Sequence, residues 1–320
     1  LGLEVVLADG ETVRVGGKGM EQAGYDLLGL LTGSEGLLAI TTEATLRILP
    51  KPECARALMA VFDSIEAAGQ AVAQVIAAGM VPAGMEIMDR LSIEAVEGFV
   101  RAGYPLGVEA LLLVELDGPA SEVECQMGVL QDLLKRAGAG QIRVAENEEE
   151  RLKLWAGRKA AFPAMGRISP DYYCMDGTIP RGQLPHVLKR IGEFSRQYGL
   201  AVANVFHAGD GNLHPLVLYD SNREGDLEKA EALGAEILKL CVDVGGVLSG
   251  EHGVGLEKRD LMPCMFNDAD LDAQERIKEC FDPGHILNPG KVFPVLRRCV
   301  EGGAMHVHAG EESFPELERF

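Results

Sequence analysis

The sequence contains no apolar run of the ~18 residues that a membrane-crossing helix needs. Its most apolar stretch, Leu27 to Ile40, is broken by Thr32, Gly33, Ser34 and Glu35. No secretory-type leader opens it. Positive charge is scarce: 30 Lys and Arg stand against 49 Asp and Glu, a formal net charge of −19. Nucleic-acid binding relies on Lys and Arg to neutralise phosphates, so that class is excluded. There is no C-x-x-C pair. The seven cysteines, Cys54, Cys125, Cys174, Cys241, Cys264, Cys280 and Cys299, are widely spaced. That spacing excludes a self-contained iron–sulfur cluster and reads as reduced, cytoplasmic thiol. A nicotinamide-binding fingerprint is missing too.

What is present is the composition of an ordinary soluble protein, 47% hydrophobic and 25% charged. A chain of 320 residues can bury more than one core. With so acidic a chain, any site for an anionic substrate must be locally positive.

The chain opens in strand-like sequence at Leu1, which is expected of a piece that continues upstream. Glu4–Leu7 and Thr12–Val15 read as strands around an Asp9-Gly10 hairpin turn. A strand is expected over Leu37–Leu49, closed by Pro50 and Pro52, which suggest a boundary. Beyond residue 53 strands and helices alternate. Ala55–Phe62, Met85–Met88 and Ala110–Leu116 read as strands. Ser64–Ala78 (with Ser64 as N-cap), Ser92–Val100 and Ser121–Ala137 read as helices. A second group follows, with strands Tyr172–Ile179, Ala201–His207 and Leu213–Tyr219, and helices Leu184–Tyr198 and Leu227–Val244. The two groups could be two ferredoxin-like halves, and the class is α+β. Val295–Phe320 is polar and irregular, a tail.

Four clusters carry chemistry. In HAGDGNLHP (207–215) a tight turn lies between two β-rich runs, so His207 and His214 can converge at a hairpin neck and share a metal. A surface hairpin that happens to hold two histidines is the other possibility. In the segment 245–255 five glycines surround Glu251 and His252. Glycine permits close backbone approach to a ligand, and Glu251 could complete a His₂Glu site suited to Zn²⁺, Mn²⁺ or Fe²⁺. A glycine-rich turn with a charged tip is the alternative. Arg158 offers a planar fork for a carboxylate, or else lies with Lys159 on a solvated helix face. Asn288-Pro289-Gly290 is a turn signal. His306 and His308 are read as part of a solvated tail.

As a set, the phrases TGSEGLLAITTEATLRILPKPE, WAGRKAAFPAMGRISPDYYCMDGTIP, HAGDGNLHP, SGEHGVGLEKRDLM, DPGHILNPGKVFP and MHVHAGEESFPELERF resemble the vanillyl-alcohol-oxidase-type flavoprotein family. The resemblance is strongest to the branch that holds the FAD-linked subunits of bacterial glycolate oxidases and the D-lactate and D-2-hydroxyglutarate dehydrogenases. It implies the C-terminal part of a VAO/PCMH-type FAD-binding domain over 1–52. A ferredoxin-like α/β substrate (cap) domain with the metal site would follow over 53–295, then a tail over 296–320. It implies His207, His214 and Glu251 as metal ligands, His252 as catalytic base and Arg158 as carboxylate anchor. Gly33, Ser34, Glu35, Gly36, Ile40 and Asn288 are implied as FAD contacts. The family's glycine-rich pyrophosphate loop has no counterpart in the sequence.

The expected activity is FAD-dependent oxidation of a small 2-hydroxy acid, glycolate or D-lactate, with hydride transfer to flavin assisted by a divalent metal and His252. Phe162, Cys174 and Leu216 stand where relatives that use diacids carry polar groups, which favours a monocarboxylate. The resemblance also implies partner oxidase subunits, one an iron–sulfur protein, and a cytoplasmic location that is peripheral at the inner membrane through those partners. Two other readings are a flavin-free metal-binding and subunit-docking fragment, and a zinc hydrolase.

Overall fold

The strand Ala110–Gly118 is apolar in nearly every position, as a central strand covered on both faces must be. Its even-numbered residues Leu112, Val114 and Leu116 enter one buried core, and Leu111 and Leu113 enter another on the opposite face. Each fully buried side chain of this size stabilises the fold by about 1.5–3 kcal/mol. The computed structural model describes residues 1–19 and 24–294. The tail expected over 296–320, with Cys299, His306 and His308, lies outside the described residues.

In chain order the elements begin with β1 (Gly2–Val6), β2 (Thr12–Gly16), α1 (Leu27–Leu31) and β3 (Ile40–Thr45). Next come β4 (Cys54–Phe62), α2 (Ile65–Ala77), β5 (Gly84–Asp89), α3 (Arg90–Val100), β6 (Ala110–Gly118), α4 (Ala120–Arg136) and β7 (Gln141–Val144). Then follow α5 (Glu148–Lys159), α6 (Ala161–Met165), β8 (Asp171–Cys174), α7 (Leu184–Tyr198), β9 (Val202–His207), β10 (Pro215–Tyr219), α8 (Asp226–Asp243) and α9 (Asp268–Phe281).

A three-stranded antiparallel sheet, β2-β1-β3, is separate from a seven-stranded one, β7-β4-β6-β5-β9-β10-β8, whose neighbours all pair antiparallel. In the large sheet β4 to β7 take the places fourth, first, third, second, which is the ferredoxin-like order. From the junction between β5 and β9 the order runs back as second, third, first through β9, β10 and β8. No fourth strand completes this second half among the described residues. Val247 instead bridges Thr178, just past β8. The glycine-rich segment therefore runs where a closing strand would lie.

Local chemistry explains the boundaries. The Ser64 hydroxyl accepts from the Ala67 N–H at 3.1 Å, starting α2 as the sequence predicts. Pro185 in the first turn and Gly199 at φ 68 bracket α7, whose buried residues Leu184, Val187, Leu188, Ile191 and Phe194 make a helical stripe. The strand expected over Leu37–Leu49 is shorter: Leu37, Leu38 and Ala39 are buried as loop, and only Ile40–Thr45 pair. The strand expected over Tyr172–Ile179 ends at Cys174, because the chain beyond it turns to meet the loop at Val247. β7, α5 and α9 are not among the elements expected from the sequence.

A third core joins the small sheet to the second half. Val5, Leu31, Leu37 and Leu38 pack with Met175, Leu238, Leu248, Met262 and Leu271. Lys278, buried at the end of α9, donates to the carbonyls of Leu37 and Leu287 at 2.7 Å each and pairs with buried Asp282. No helix among the described residues is long and apolar enough to cross a membrane.

Candidate metal and substrate site

Register decides where the site forms. Glu86 on β5 pairs directly with His207 on β9, across the seam between the two halves of the large sheet. Alternation puts both side chains on the face that packs under α5 and α6. The loop after β9 then returns the chain, and the ring of His214 comes to 5.1 Å from that of His207, edge to face. The expected hairpin convergence is present.

Each imidazole is oriented through its Nδ1. His207 Nδ1 donates to Glu86 Oε1 at 2.8 Å, and His214 Nδ1 to the Met175 carbonyl at 3.3 Å. Both Nε2 atoms then carry lone pairs, and both face Glu251 Oε1, at 3.9 Å for His207 and 2.8 Å for His214. Ligand atoms of the three residues lie within 4.8 Å of one another. A lone pair facing a carboxylate oxygen is favourable only with a cation between them. Burial, together with the neighbouring His207 imidazole, lowers the His214 pKa, against the pull of the Glu251 carboxylate. The hydrogen bond that His207 donates to Glu86 has the opposite effect and raises the His207 pKa. Donor set, convergence and oriented rings fit a divalent metal.

Glu251 and His252 ride on the loop in the missing strand's place. A Cβ on Gly246 would sit 1.9 Å from the Thr178 carbonyl oxygen, so only glycine lets the loop lie against the sheet edge. Close approach is thus required here, but by the protein's own backbone rather than by a ligand, which corrects the sequence expectation. Asp176, wholly buried, accepts from Ser249 Oγ at 2.9 Å and from the N–H groups of Glu251 and His252 at 3.0 and 2.6 Å. Lys258, also buried, pairs with Asp176 and donates to the Gly253 carbonyl at 3.1 Å. The His252 ring stacks on His214 at 5.1 Å and 18°. Its nearest charged atoms, Glu251 Oε1 at 3.7 Å and Asp176 Oδ2 at 4.0 Å, are beyond hydrogen-bonding reach, and its side chain is 45% exposed. Its ring makes no hydrogen bond among the described residues.

Arg158 is not on a solvated face: it is 7% exposed, while Lys159 beside it is exposed. Its Nε donates to Glu86 Oε2 at 2.9 Å, and its buried Nη2 has no partner among the described residues. Buried donors are rarely left unpaired, so Nη2 is available to an anion. Glu86 thus holds His207 with one oxygen and Arg158 with the other. Phe162 lies edge-on to His214, with ring centroids 6.0 Å apart, and Cys174 Sγ is 4.0 Å from His214 Nδ1. Burial pushes the Cys174 thiol up to about 12, which keeps it neutral. Leu216 is buried opposite Cys174 in the β10–β8 ladder.

The residues expected along FAD form a second group. Gly33, Glu35 and Gly36 all have positive φ, and Ser34 links them in a turn. Asn288 donates from Nδ2 to the Glu35 carbonyl. Ile40, at the start of β3, is 57% exposed. The Glu35 carboxylate reaches into the Gly253–Gly255 turn. Sequence reasoning assigns no role to Glu86, Asp176 or Lys258. The one local signal is a carboxylate inside the apolar strand Met85-Glu86-Ile87-Met88, which a strand buried on both faces holds only for a purpose.

The chain is 56% identical over 320 residues to the glycolate oxidase subunit GlcD of Escherichia coli (strain K12), covering all of this chain and 64% of that protein. It is 39% identical over 294 residues to GlcD of Bacillus subtilis (strain 168), covering 92% of this chain and 63% of that protein. Identity to the probable mitochondrial D-lactate dehydrogenase of Danio rerio is 31% over 307 residues, covering 94% of this chain and 61% of that one. The chain therefore spans under two thirds of these relatives' length. Among solved structures, p-cresol methylhydroxylase with substrate bound matches with a TM-score of 0.71 at 18% identity, covering 91% of this chain and 64% of that one. 4-Ethylphenol oxidase from Gulosibacter chungangensis also gives 0.71, at 19% identity, with 92% and 66% covered. These likenesses show the fold, which is α+β with a ferredoxin-like strand order in the large sheet, as expected. The family model for the C-terminal domain of FAD linked oxidases matches residues 51–292, which include Arg158, His207, His214, Glu251 and His252, and the chain belongs to that family.

Proposed function

We propose that the complete protein oxidises a small 2-hydroxy acid, glycolate or D-lactate, to the 2-oxo acid. The observation that carries this reading is the convergence of His207, His214 and Glu251 beside the unpartnered Nη2 of Arg158 and the free ring of His252. His207, His214 and Glu251 hold a divalent ion, Zn²⁺, Mn²⁺ or Fe²⁺. Gly33, Ser34, Glu35, Gly36, Ile40 and Asn288 lie along FAD. When bound, the flavin supplies the two-electron acceptor and the ion a Lewis acid for the substrate's 2-oxygen.

The chain's own residues do the rest. Arg158 clamps the substrate carboxylate through Nη2, its guanidinium held in place by the bond from Nε to Glu86. His252 takes the hydroxyl proton, and Asp176 holds its backbone so that the ring stays over His214. Phe162, Cys174 and Leu216 offer no partner to a second carboxylate, which favours a monoacid.

The boundary of the substrate domain is placed at residues 52/53. Two of the relatives are named as subunits, which supports partner oxidase subunits. An iron–sulfur protein among those partners, and a cytoplasmic place peripheral to the inner membrane through them, belong to the same proposal. The test is anaerobic mixing of the purified complete protein with glycolate or D-lactate. The flavin's visible absorbance should bleach, and two-oxo acid should accumulate in proportion. An unbleached flavin with both acids sinks the reading, and acid release from an ester would favour a hydrolase instead.

A further inference from the structure

Two carboxylates from distant parts of the chain grip the loop that carries Glu251 and His252. Asp176 holds one side through the N–H groups of Glu251 and His252. Glu35 holds the other: Oε1 accepts from the Val254 N–H at 2.7 Å and Oε2 from the Gly255 N–H at 2.9 Å. Both oxygens of Glu35 are thus engaged by successive amides more than two hundred residues away in sequence. The fit is close, since a Cβ on Gly253, at φ +88, would lie 2.8 Å from the Glu35 carboxyl carbon. Glu35 itself sits at φ 52, a conformation that non-glycine residues avoid, and Asn288 fixes it by donating to its carbonyl. An ordinary surface turn has no need of a left-handed glutamate pinned at both its backbone and its side chain.

We propose that Glu35 is a positioning residue that couples the segment 33–36 to the metal loop, so that flavin binding and metal binding strengthen each other. The proposal rests on the reading of His207, His214 and Glu251 as metal ligands and of 33–36 as the flavin-side segment. Its physical basis is direct. Glu251 is a ligand only while its loop is held against the two histidines, and groups that orient ligands set metal affinity. If ordering 33–36 around flavin fixes Glu35, it also fixes the Val254–Gly255 turn, and linkage makes the effect reciprocal.

The test titrates Zn²⁺ against a competing chelator in the complete protein, with flavin bound and with flavin removed. It then measures flavin affinity with and without Zn²⁺. Flavin should tighten Zn²⁺ binding about tenfold, and Zn²⁺ should tighten flavin binding by the same factor. In Glu35→Gln an amide N–H meets a backbone N–H, so the coupling factor should fall to about one and Zn²⁺ affinity in the flavin-bound protein by about tenfold. Asn288→Ala keeps the carboxylate and should lose part of the factor. An undiminished factor in Glu35→Gln, or no reciprocal factor in the parent protein, overturns the proposal. Should Glu35→Gln fail to fold, an unchanged factor in Asn288→Ala overturns it. If His214→Ala binds Zn²⁺ as tightly as the parent protein, the ligand assignment itself has failed and the coupling falls with it. That result is distinct from a coupling lost on an intact metal site.

Discussion

The two halves of the seven-stranded sheet follow one plan, but only the first is finished. In the first, β7 pairs with β4 from Leu58↔Val144 to Val61↔Gln141 and closes the edge. In the second, the corresponding edge of β8 is met by a single bridge at Val247, and the chain that follows delivers Glu251 and His252. Strand pairing satisfies every backbone group and points side chains away from a neighbouring edge. A loop of glycines over an open edge instead aims a carboxylate and an imidazole back across the sheet. The first half supplies one oriented carboxylate, Glu86, while the second supplies His207, His214, Glu251 and His252, the groups proposed to meet metal and substrate. The difference teaches that this site was made by leaving a strand unbuilt.

The sharpest way to break that comparison is to remove the ring that the unbuilt edge presents. His252→Ala in the complete enzyme should lower kcat by at least ~100-fold, the lower end for loss of a general base, with metal content unchanged. Steady-state kinetics and metal analysis check both. A kcat near that of the parent would mean that the loop is structural in both halves. Next in size is the first half's single contribution to the chemistry. Glu86→Gln should weaken Zn²⁺ binding by about 10–100-fold, because His207 loses the carboxylate that fixes its tautomer. The KM for the hydroxy acid should rise as Arg158 loses its partner. Unaltered affinity and KM would confine the site to the second half.

How much of this was legible in the sequence follows from how local each signal is. Ser64 capping α2, the stripe of α7 between Pro185 and Gly199, and the turn that draws His207 to His214 depend on residues within a few positions of each other. They were readable. So were the signals for two elements that the reading did not use. Asn267 and Asp270 form a capping box for α9, and α5 runs from Glu148-Glu149-Glu150 in its first turn to Arg158 and Lys159 in its last. The Glu86–His207, Asp176–Lys258 and Glu35–Val254 contacts span 121, 82 and 219 positions. No window of sequence contains both partners, and the register that brings Glu86 opposite His207 exists only once the halves have paired. Arg158 illustrates the limit: helix position alone left it on a solvated face or in a site, and burial against Glu86 decided between them.

Adjacent residues of β5 give a finer test. Ile87 follows Glu86 but points into the other core, where it is fully buried. Ile87→Val should lower unfolding stability by about 0.5–1.5 kcal/mol in denaturant titration and leave Zn²⁺ affinity as it was. A loss of metal affinity there would show that packing in the first half, not the one carboxylate, tunes the site.

The smallest effect concerns the seam that holds the second half to the small sheet. Burial alone would raise the Asp282 pKa. Hydrogen bonds from Lys278 and from the N–H groups of Leu287 and Ile286 override that and bring it down to about 2. An aspartate depressed in the folded state contributes stability that is complete above its unfolded pKa of roughly 3.9 and is lost as pH falls through the folded value. Between about pH 4 and pH 2, therefore, acid should loosen residues 282–292 and the Leu37 loop that Lys278 ties to them, before it reaches β4–β7. Hydrogen exchange followed by mass spectrometry resolves that order, and Asp282→Asn should flatten the acid dependence of the seam. Simultaneous opening of both halves at acid pH would mean that the closed half and the open half unfold as one unit, and that the second half's open edge carries no separate stability of its own.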